Sequence, residues 1–268
     1  MKKETSVLVA TTVVLLLAMG SSAAAADDRV KVVALTESLC PNCIDFVQTD
    51  LEELARATDV LARVHLRLLA WGNAYTETTS AALCPSATPG RYDVAVRRCW
   101  NARCVRTAAP ALFAECFNTS FAARVTCQHG AEECLGNRIE TCAVALTRNA
   151  TDGGASRAGV DFVRCFVGTH RGDPAALTPC AAAAHIDRAA LVACVNGADG
   201  VAFLREAAIA TNDQGPHPGV PYVLVNGTPL PDGQTLLAAV CAQLPAPKPA
   251  GCASVRARTA PAAPVSRC

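Results

Sequence analysis

The chain has no surplus of charge of either sign. Lys plus Arg number 24 against 23 Asp plus Glu, a net charge of +1, so nothing electrostatic draws it to nucleic acid or to an anionic membrane surface. Beyond residues 7–18 it also has no apolar run approaching the roughly 20 residues that a spanning helix needs. No internal repeat divides it, so residues 27–244 read as one domain of ordinary size. Only one CxxC occurs, at Cys40 and Cys43. Without a second at ribbon spacing, a zinc ribbon is disfavoured.

Cysteine, by contrast, is abundant, with 15 residues. The opening segment says how to read them. Lys2 and Lys3 precede an apolar stretch from Val7 to Ala18, and small residues from Ser21 to Ala26 end before Asp27 and Asp28. That is the pattern of a cleaved signal peptide, residues 1–26. Behind such a leader the compartment is oxidising and thiols pair, so disulfides are the default over zinc. Sequons at Asn118, Asn149 and Asn226 fit the same secretory route and are candidate glycosylation sites. No membrane insertion is expected once the leader is removed.

Val30 to Leu35 is β-branched and reads as a strand. A short loop leads to Cys40-Pro41-Asn42-Cys43, after which Ile44, Val47, Leu51 and Leu54 recur at helical spacing. Pro41 suits the first helical turn, where its missing N–H costs nothing. Val64 to Leu69 reads as a second strand. Residues 75–126 carry Cys84, Cys99, Cys104 and Cys116 and read as a cysteine-stapled insertion. From 131 to about 212 the pattern is helical, with Leu135, Ile139, Cys142 and Leu146 expected on one apolar face. Tyr222 to Val225 restores strand character, and Asn226-Gly227 signals a tight hairpin. A last helix follows, from about Gln234 to Gln243, and residues 245–268 read as a Pro/Ala-rich tail with little fixed structure. The order strand, CxxC helix, strand, helical block, strand, strand, helix predicts an α/β, thioredoxin-like fold with an inserted, disulfide-stapled helical block.

The chemistry expected of the CxxC follows from its place. Three residues apart at a helix start, Cys40 and Cys43 share a face and are predicted to close a small disulfide. The positive end of the helix stabilises a thiolate on Cys40 and makes it the nucleophile. Cys43, one turn further in, resolves the mixed disulfide. Pro221, directly before the late strand, is predicted to be cis and to face the pair, supporting the active site.

Residues 127–142 carry the most specific pattern in the chain. Cys127, Gln128, His129, Gly130, Glu133, Cys134, Asn137 and Cys142 fill all eight fixed positions of the signature of the gamma-interferon-inducible lysosomal thiol reductase (GILT) family. The resemblance extends to Glu37-Ser38-Leu39 before the CxxC, to Gly72-Asn73-Ala74, and to Val220-Pro221-Tyr222, and it covers residues 30–243. It differs at Ala70, where a proline is usual, and in the length of the 75–126 segment. What the resemblance implies is a soluble glycoprotein that reduces disulfides in protein substrates in an acidic endosomal or lysosomal compartment. It also makes Cys40 and Cys43 the active pair and the signature cysteines structural. The implied partners are disulfide-bonded proteins and a small thiol or dithiol reductant; no cofactor and no metal are called for.

Several readings stay open on sequence alone. His129 reads as a hydrogen-bonded structural residue before it reads as a proton carrier, and His65 and His217 carry no local signal. Cys127, Cys134, Cys142, Cys165, Cys180 and Cys194 are expected to form three bridges within the helical block, and the four insertion cysteines to pair among themselves. Cys241, Cys252 and Cys268 then leave one odd thiol. Two functions compete with a reductase: a disulfide oxidase or isomerase of the secretory pathway, and a non-catalytic, disulfide-rich secreted binding protein.

Overall fold

A computed structural model describes residues 28–77, 84, 91–104, 110–118, 125–255 and 268. The leader expected over 1–26 lies outside the described residues, as do parts of the 75–126 segment. The fold is mixed α/β, a four-stranded sheet packed by helices and fastened by seven disulfides.

Strand β1 (Val30–Thr36) lies at the centre of the sheet. Its parallel neighbour β2 (Val64–Ala70) runs in register from Val30↔Val64 to Thr36↔Ala70. A parallel pair needs a crossover. Here it is a helical run made of α1 (Pro41–Phe46), a π-helical stretch (Val47–Leu51), α2 (Glu52–Arg56) and the single turn α3 (Thr58–Leu61). The stripe read from sequence forms its buried face: Ile44, Val47, Leu51 and Leu54 are each 3 % exposed or less. On the other side of β1, β5 (Tyr222–Val225) pairs antiparallel, with Leu35 opposite Tyr222. The edge strand β6 (Thr228–Pro229) follows a two-residue turn in which Asn226 and Gly227 both take positive φ. Pro229, which has no N–H to give, costs nothing in an edge strand.

Behind the sheet, α6 (Ala131–Thr147) is surrounded by α7 (Arg157–Val163), α9 (Arg188–Asn196) and α10 (Ala198–Asn212), while α8 (Leu177–Ala183) bridges α7 and α9. Leu146 departs from its expected place in the core and is 43 % exposed. The buried residues of α6 all fall between Glu133 and Ala143. Burial there follows position along the helix, because neighbours enclose its middle and leave its last turn open. Helix α11 (Leu236–Gln243) closes the sheet, its first turn capped by Thr235 and by Asp50, whose carboxylate accepts from Leu236 N at 2.9 Å.

The cysteine-rich segment contributes β3 (Tyr75–Thr76), α4 (Val94–Arg103), α5 (Pro110–Cys116) and β4 (Val125–Thr126). β3 and β4 pair antiparallel and so join the segment's two ends. Cys84–Cys99 and Cys104–Cys116 staple it internally, as expected. Trp71, Tyr75, Trp100 and Phe117 give it an aromatic core of its own, which packs on Leu204 and Ala208 of α10. In the helical block the bridges are Cys127–Cys134, Cys142–Cys194 and Cys165–Cys180, three within that set.

Of the tail expected over 245–268, residues 256–267 lie outside the described residues, and the part up to residue 255 is tied to the fold. Cys241 pairs with Cys252, Gly251 N donates to Asp59 Oδ2 at 2.9 Å, and residues Ala250–Ser254 form a 3-10 turn. Over these described residues the ties override the local preference for disorder. Cys268 is not the odd thiol of the tail group either, because it is bonded to Cys40.

Candidate active site

Cys40 is the N-cap of α1, with extended backbone (φ −65°, ψ 120°), and Pro41 occupies the first helical position. Its carbonyl accepts the first helical hydrogen bond, from Ile44 N at 3.0 Å. Cys43 lies one turn in, fully buried and a free thiol. The two sulfurs share a small apolar cluster with Leu35, Leu69, Ala210 and Val220. They are not bonded to each other. The expected Cys40–Cys43 disulfide is replaced by Cys40–Cys268, whose Cα atoms stand 6.2 Å apart. A partner 228 residues away reaches Cys40 because β5 brings Val220 beside it, and Val220 holds the Cys268 main chain.

That holding is specific. Cys268 N donates to Val220 O at 3.0 Å, and Asn73 Nδ2 donates to Cys268 O at 3.0 Å. Asn42 Nδ2 lies 3.5 Å from Cys268 Sγ, and Val220 O lies 3.7 Å from Cys40 Sγ. The Val220–Pro221 peptide is cis, and Pro221 adjoins Val220, whose carbonyl oxygen accepts from Cys268 N and lies beside Cys40 Sγ. A groove alongside is lined by Asn42, Phe46, Pro221, Tyr222 and Leu230.

Behind Cys43 the signature residues converge with the loop before the CxxC. Glu37 N donates to Cys43 Sγ at 3.3 Å. Glu37 itself is fully buried, and its Oε1 accepts from Asn73 N at 2.6 Å. Ser38 N donates to Asn137 Oδ1 at 2.8 Å, and Ser38 Oγ donates to Glu133 O at 3.3 Å. Gln128 Oε1 accepts from Asn73 Nδ2 at 2.6 Å. His129 bonds Glu133 twice, through its backbone N–H to Oε1 (3.1 Å) and through Nδ1 to Oε2, and Nδ1 lies 3.9 Å from Glu37 Oε2. Gly130 is the N-cap of α6 at φ +90°, a conformation that an L side chain strains to adopt. The signature thus fixes the loop that positions the CxxC.

The electrostatics of this layer follow from burial. Desolvation first, then the Glu133 charge, raises the Glu37 carboxyl well above its ordinary value. Desolvation and the Glu37 charge likewise raise the Cys43 thiol. Glu133 is raised by desolvation, against the lowering effect of His129. Glu37, His129 and Glu133 bring ligand atoms within 4.8 Å of one another, a spacing shared by cation sites and by clusters that exchange protons. The hydrogen bonds of this group join His129 to Glu133, while Glu37 Oε2 has no hydrogen-bond partner among the described residues. A similar grouping of Cys165, His170 and Cys180 has both sulfurs committed to one disulfide. The cysteines on either side of His129, Cys127, Cys134 and Cys142, have their sulfurs in two separate bridges.

Sequence reasoning passed over three contributors. His217 is buried, stacks on Tyr222 at 5.7 Å, and has its imidazole pushed down to about 4 by burial and by Arg97. Arg97, from the cysteine-rich segment, donates to His217 O at 3.1 Å. Asn73 was visible only as part of a resemblance, yet it joins Glu37, Gln128 and Cys268. Of the sequons, Asn118 and Asn149 are exposed. The Asn226 side chain is engaged, accepting from Lys31 N at 2.9 Å.

Comparison with known proteins identifies the family of the chain. The family model for gamma interferon inducible lysosomal thiol reductase (GILT) matches residues 31–119 and 107–184, more than half of the chain. A Carassius auratus protein named gamma-interferon-inducible lysosomal thiol reductase is 32% identical over 136 residues, 47% of this chain and 50% of the relative. An Arabidopsis thaliana protein named gamma-interferon-responsive lysosomal thiol protein is 27% identical over 218 residues, 80% of this chain and 70% of the relative. The match therefore spans half the length of the first relative and more of the second.

Proposed function

Because the chain belongs to the gamma interferon inducible lysosomal thiol reductase family, we propose that it is a thiol–disulfide oxidoreductase that reduces disulfides in protein substrates through Cys40 and Cys43. Its scaffold on this reading is thioredoxin-like, a βαβ unit followed by a β-hairpin and helix. Residues 75–126 are an insertion in it. The compartment is lysosomal or endosomal, or extracellular, reached behind the leader, and the electron donor is a small thiol or dithiol.

One observation carries the reading: Cys40 stands at a helix start beside Val220-Pro221 while Cys43 lies in the same cluster as a thiol. Reduced Cys40 attacks a substrate sulfur and becomes joined to it. Cys43 then attacks Cys40 Sγ, releasing reduced substrate and leaving the Cys40–Cys43 disulfide. Cys43 must give up its proton for that step, and burial opposes the charged thiolate. The Glu37–His129–Glu133 cluster receives the proton. The groove beside Asn42 and Tyr222 accepts the substrate chain.

The rival non-catalytic reading has one observation in its favour, that Cys40 is itself in a bridge. Disulfide reduction in a model protein substrate separates the two. Mildly pre-reduced wild type is expected to be active and Cys40→Ser inactive; equal rates in both would end the reductase reading. The reduction potential of the pair separates a reductase from an oxidase.

A further inference from the structure

The disulfide at Cys40 joins it to a residue held as a peptide would be held. Cys268 is gripped through its main chain, N–H to Val220 O and C=O to Asn73 Nδ2, both at 3.0 Å. Neither contact depends on the side chain of the residue that is held. The sulfur then lies within reach of Asn42 Nδ2. A substrate cysteine in a mixed disulfide with Cys40 has the same sulfur to present and the same main-chain groups to satisfy. Cys268 is half-buried, whereas Cys43 is sealed from solvent.

Resting on the reductase reading above, the geometry points to Cys268 as a second resolving cysteine, which displaces substrate from Cys40 and closes the Cys40–Cys268 disulfide without Cys43. In this step the Cys268 thiolate attacks Cys40 Sγ of the mixed disulfide. The Cys40–Cys268 bond forms and the Cys40–substrate bond breaks. The substrate sulfur leaves as a thiolate and takes up a proton, balancing the one Cys268 lost to solvent. The Cys40 and Cys268 thiols together have supplied two electrons to the substrate disulfide. The state described by the structure, a Cys40–Cys268 bridge with Cys43 as thiol, is the product of that step. A small thiol or dithiol reductant returns it to three thiols. Cys43 suits the same attack less well at acidic or neutral pH, because its burial keeps it protonated.

The test is trapping with a disulfide-bonded protein. Mildly pre-reduced Cys43→Ser and Cys43→Ser/Cys268→Ser are incubated with it, alkylated, and run without reducing agent. A tethered thiol acts at millimolar effective concentration, so the single variant is expected to hold at least about tenfold less mixed disulfide than the double. Its digest should contain Cys40 linked to Cys268. Equal trapping in the two variants overturns the role of Cys268 while leaving the CxxC reading intact. No trapping in the double variant, together with no reduction by wild type, overturns both. Peptide mapping of oxidised wild type gives a check that no substitution can disturb. A Cys40–Cys268 peptide is expected, and a Cys40–Cys43 bridge with Cys268 free would overturn the assignment.

Discussion

Replacing Glu140 by glutamine should reveal how burial ties this protein's stability to acid. Glu140 lies in the middle of α6 with 1 % of its surface exposed, and its Oε2 has no hydrogen-bond partner among the described residues. Burial alone pushes its carboxyl from an ordinary 4.5 up to about 8. Between those values the folded protein holds a proton that the unfolded chain has released. The stabilisation is therefore full below 4.5 and is lost as pH rises through about 8. Each pH unit in that interval removes about 1.4 kcal/mol, about 5 kcal/mol across the whole. Glutamine has nearly the shape of the protonated acid and no charge to bury. Glu140→Gln should thus match wild type near pH 4.5 and exceed it by about 5 kcal/mol above pH 8. Urea unfolding with the disulfides intact reads the difference as a midpoint shift of about 2 M at high pH, fading towards acid. Glu37 and Glu133, also raised, titrate in the same sense. His217, pushed down to about 4, opposes them, because acid below 6.5 removes its contribution. Comparing variant with parent at each pH cancels all three. A difference that is the same in acid and alkali would refute the argument.

Gly172→Ala should destabilise the loop that carries Cys40. A Cβ there would overlap Ser38 O, on a backbone at φ +74°. Backbone strain and overlap together cost about 2–5 kcal/mol, and unchanged thermal unfolding would show that the contact is looser than this. Cys43 is the only free thiol among the described residues, so thiolate absorbance titrates it alone. Glu37→Gln should lower its midpoint, and an unmoved curve would mean that the Glu37 charge does not reach it. In a glycosylating host, Asn149→Gln should raise electrophoretic mobility and Asn226→Gln should not. The reverse pattern would mean that the Asn226 hydrogen bond to Lys31 N opens before the glycan is added.

The parts of the fold legible in the sequence are those fixed by neighbours in the chain. The Ile44, Val47, Leu51, Leu54 stripe repeats at helical spacing and is buried as that spacing requires. Asn226-Gly227 forms its hairpin because both residues tolerate positive φ. Helix α6 is legible as a helix, but Leu146 is not legible as exposed, since periodicity carries no information on where neighbouring helices stop. Glu37 and His217 show the limit most clearly. A lone glutamate and a lone histidine have no pattern, and their perturbed acidities come from burial beneath residues far along the chain.

Disulfide partners divide along the same line, though not for reasons of loop length alone. Five bridges close separations of 7 to 15 residues, namely Cys127–Cys134, Cys241–Cys252, Cys104–Cys116, Cys84–Cys99 and Cys165–Cys180. Two close 52 and 228. The entropy of closing a loop grows only with the logarithm of its length, so length hardly selects among partners. Position selects them. Cys268 reaches Cys40 because its N–H finds Val220 O, and Val220 stands there because β5 pairs with β1. The CxxC was read as a closed pair because its two cysteines lie on one helix face. Sharing a face makes an exchange between Cys40 and Cys43 feasible without making it the resting bond. In the structure Val220, set in place by the pairing of β5 with β1, brings the Cys268 sulfur to Cys40, and Cys43 stays a thiol.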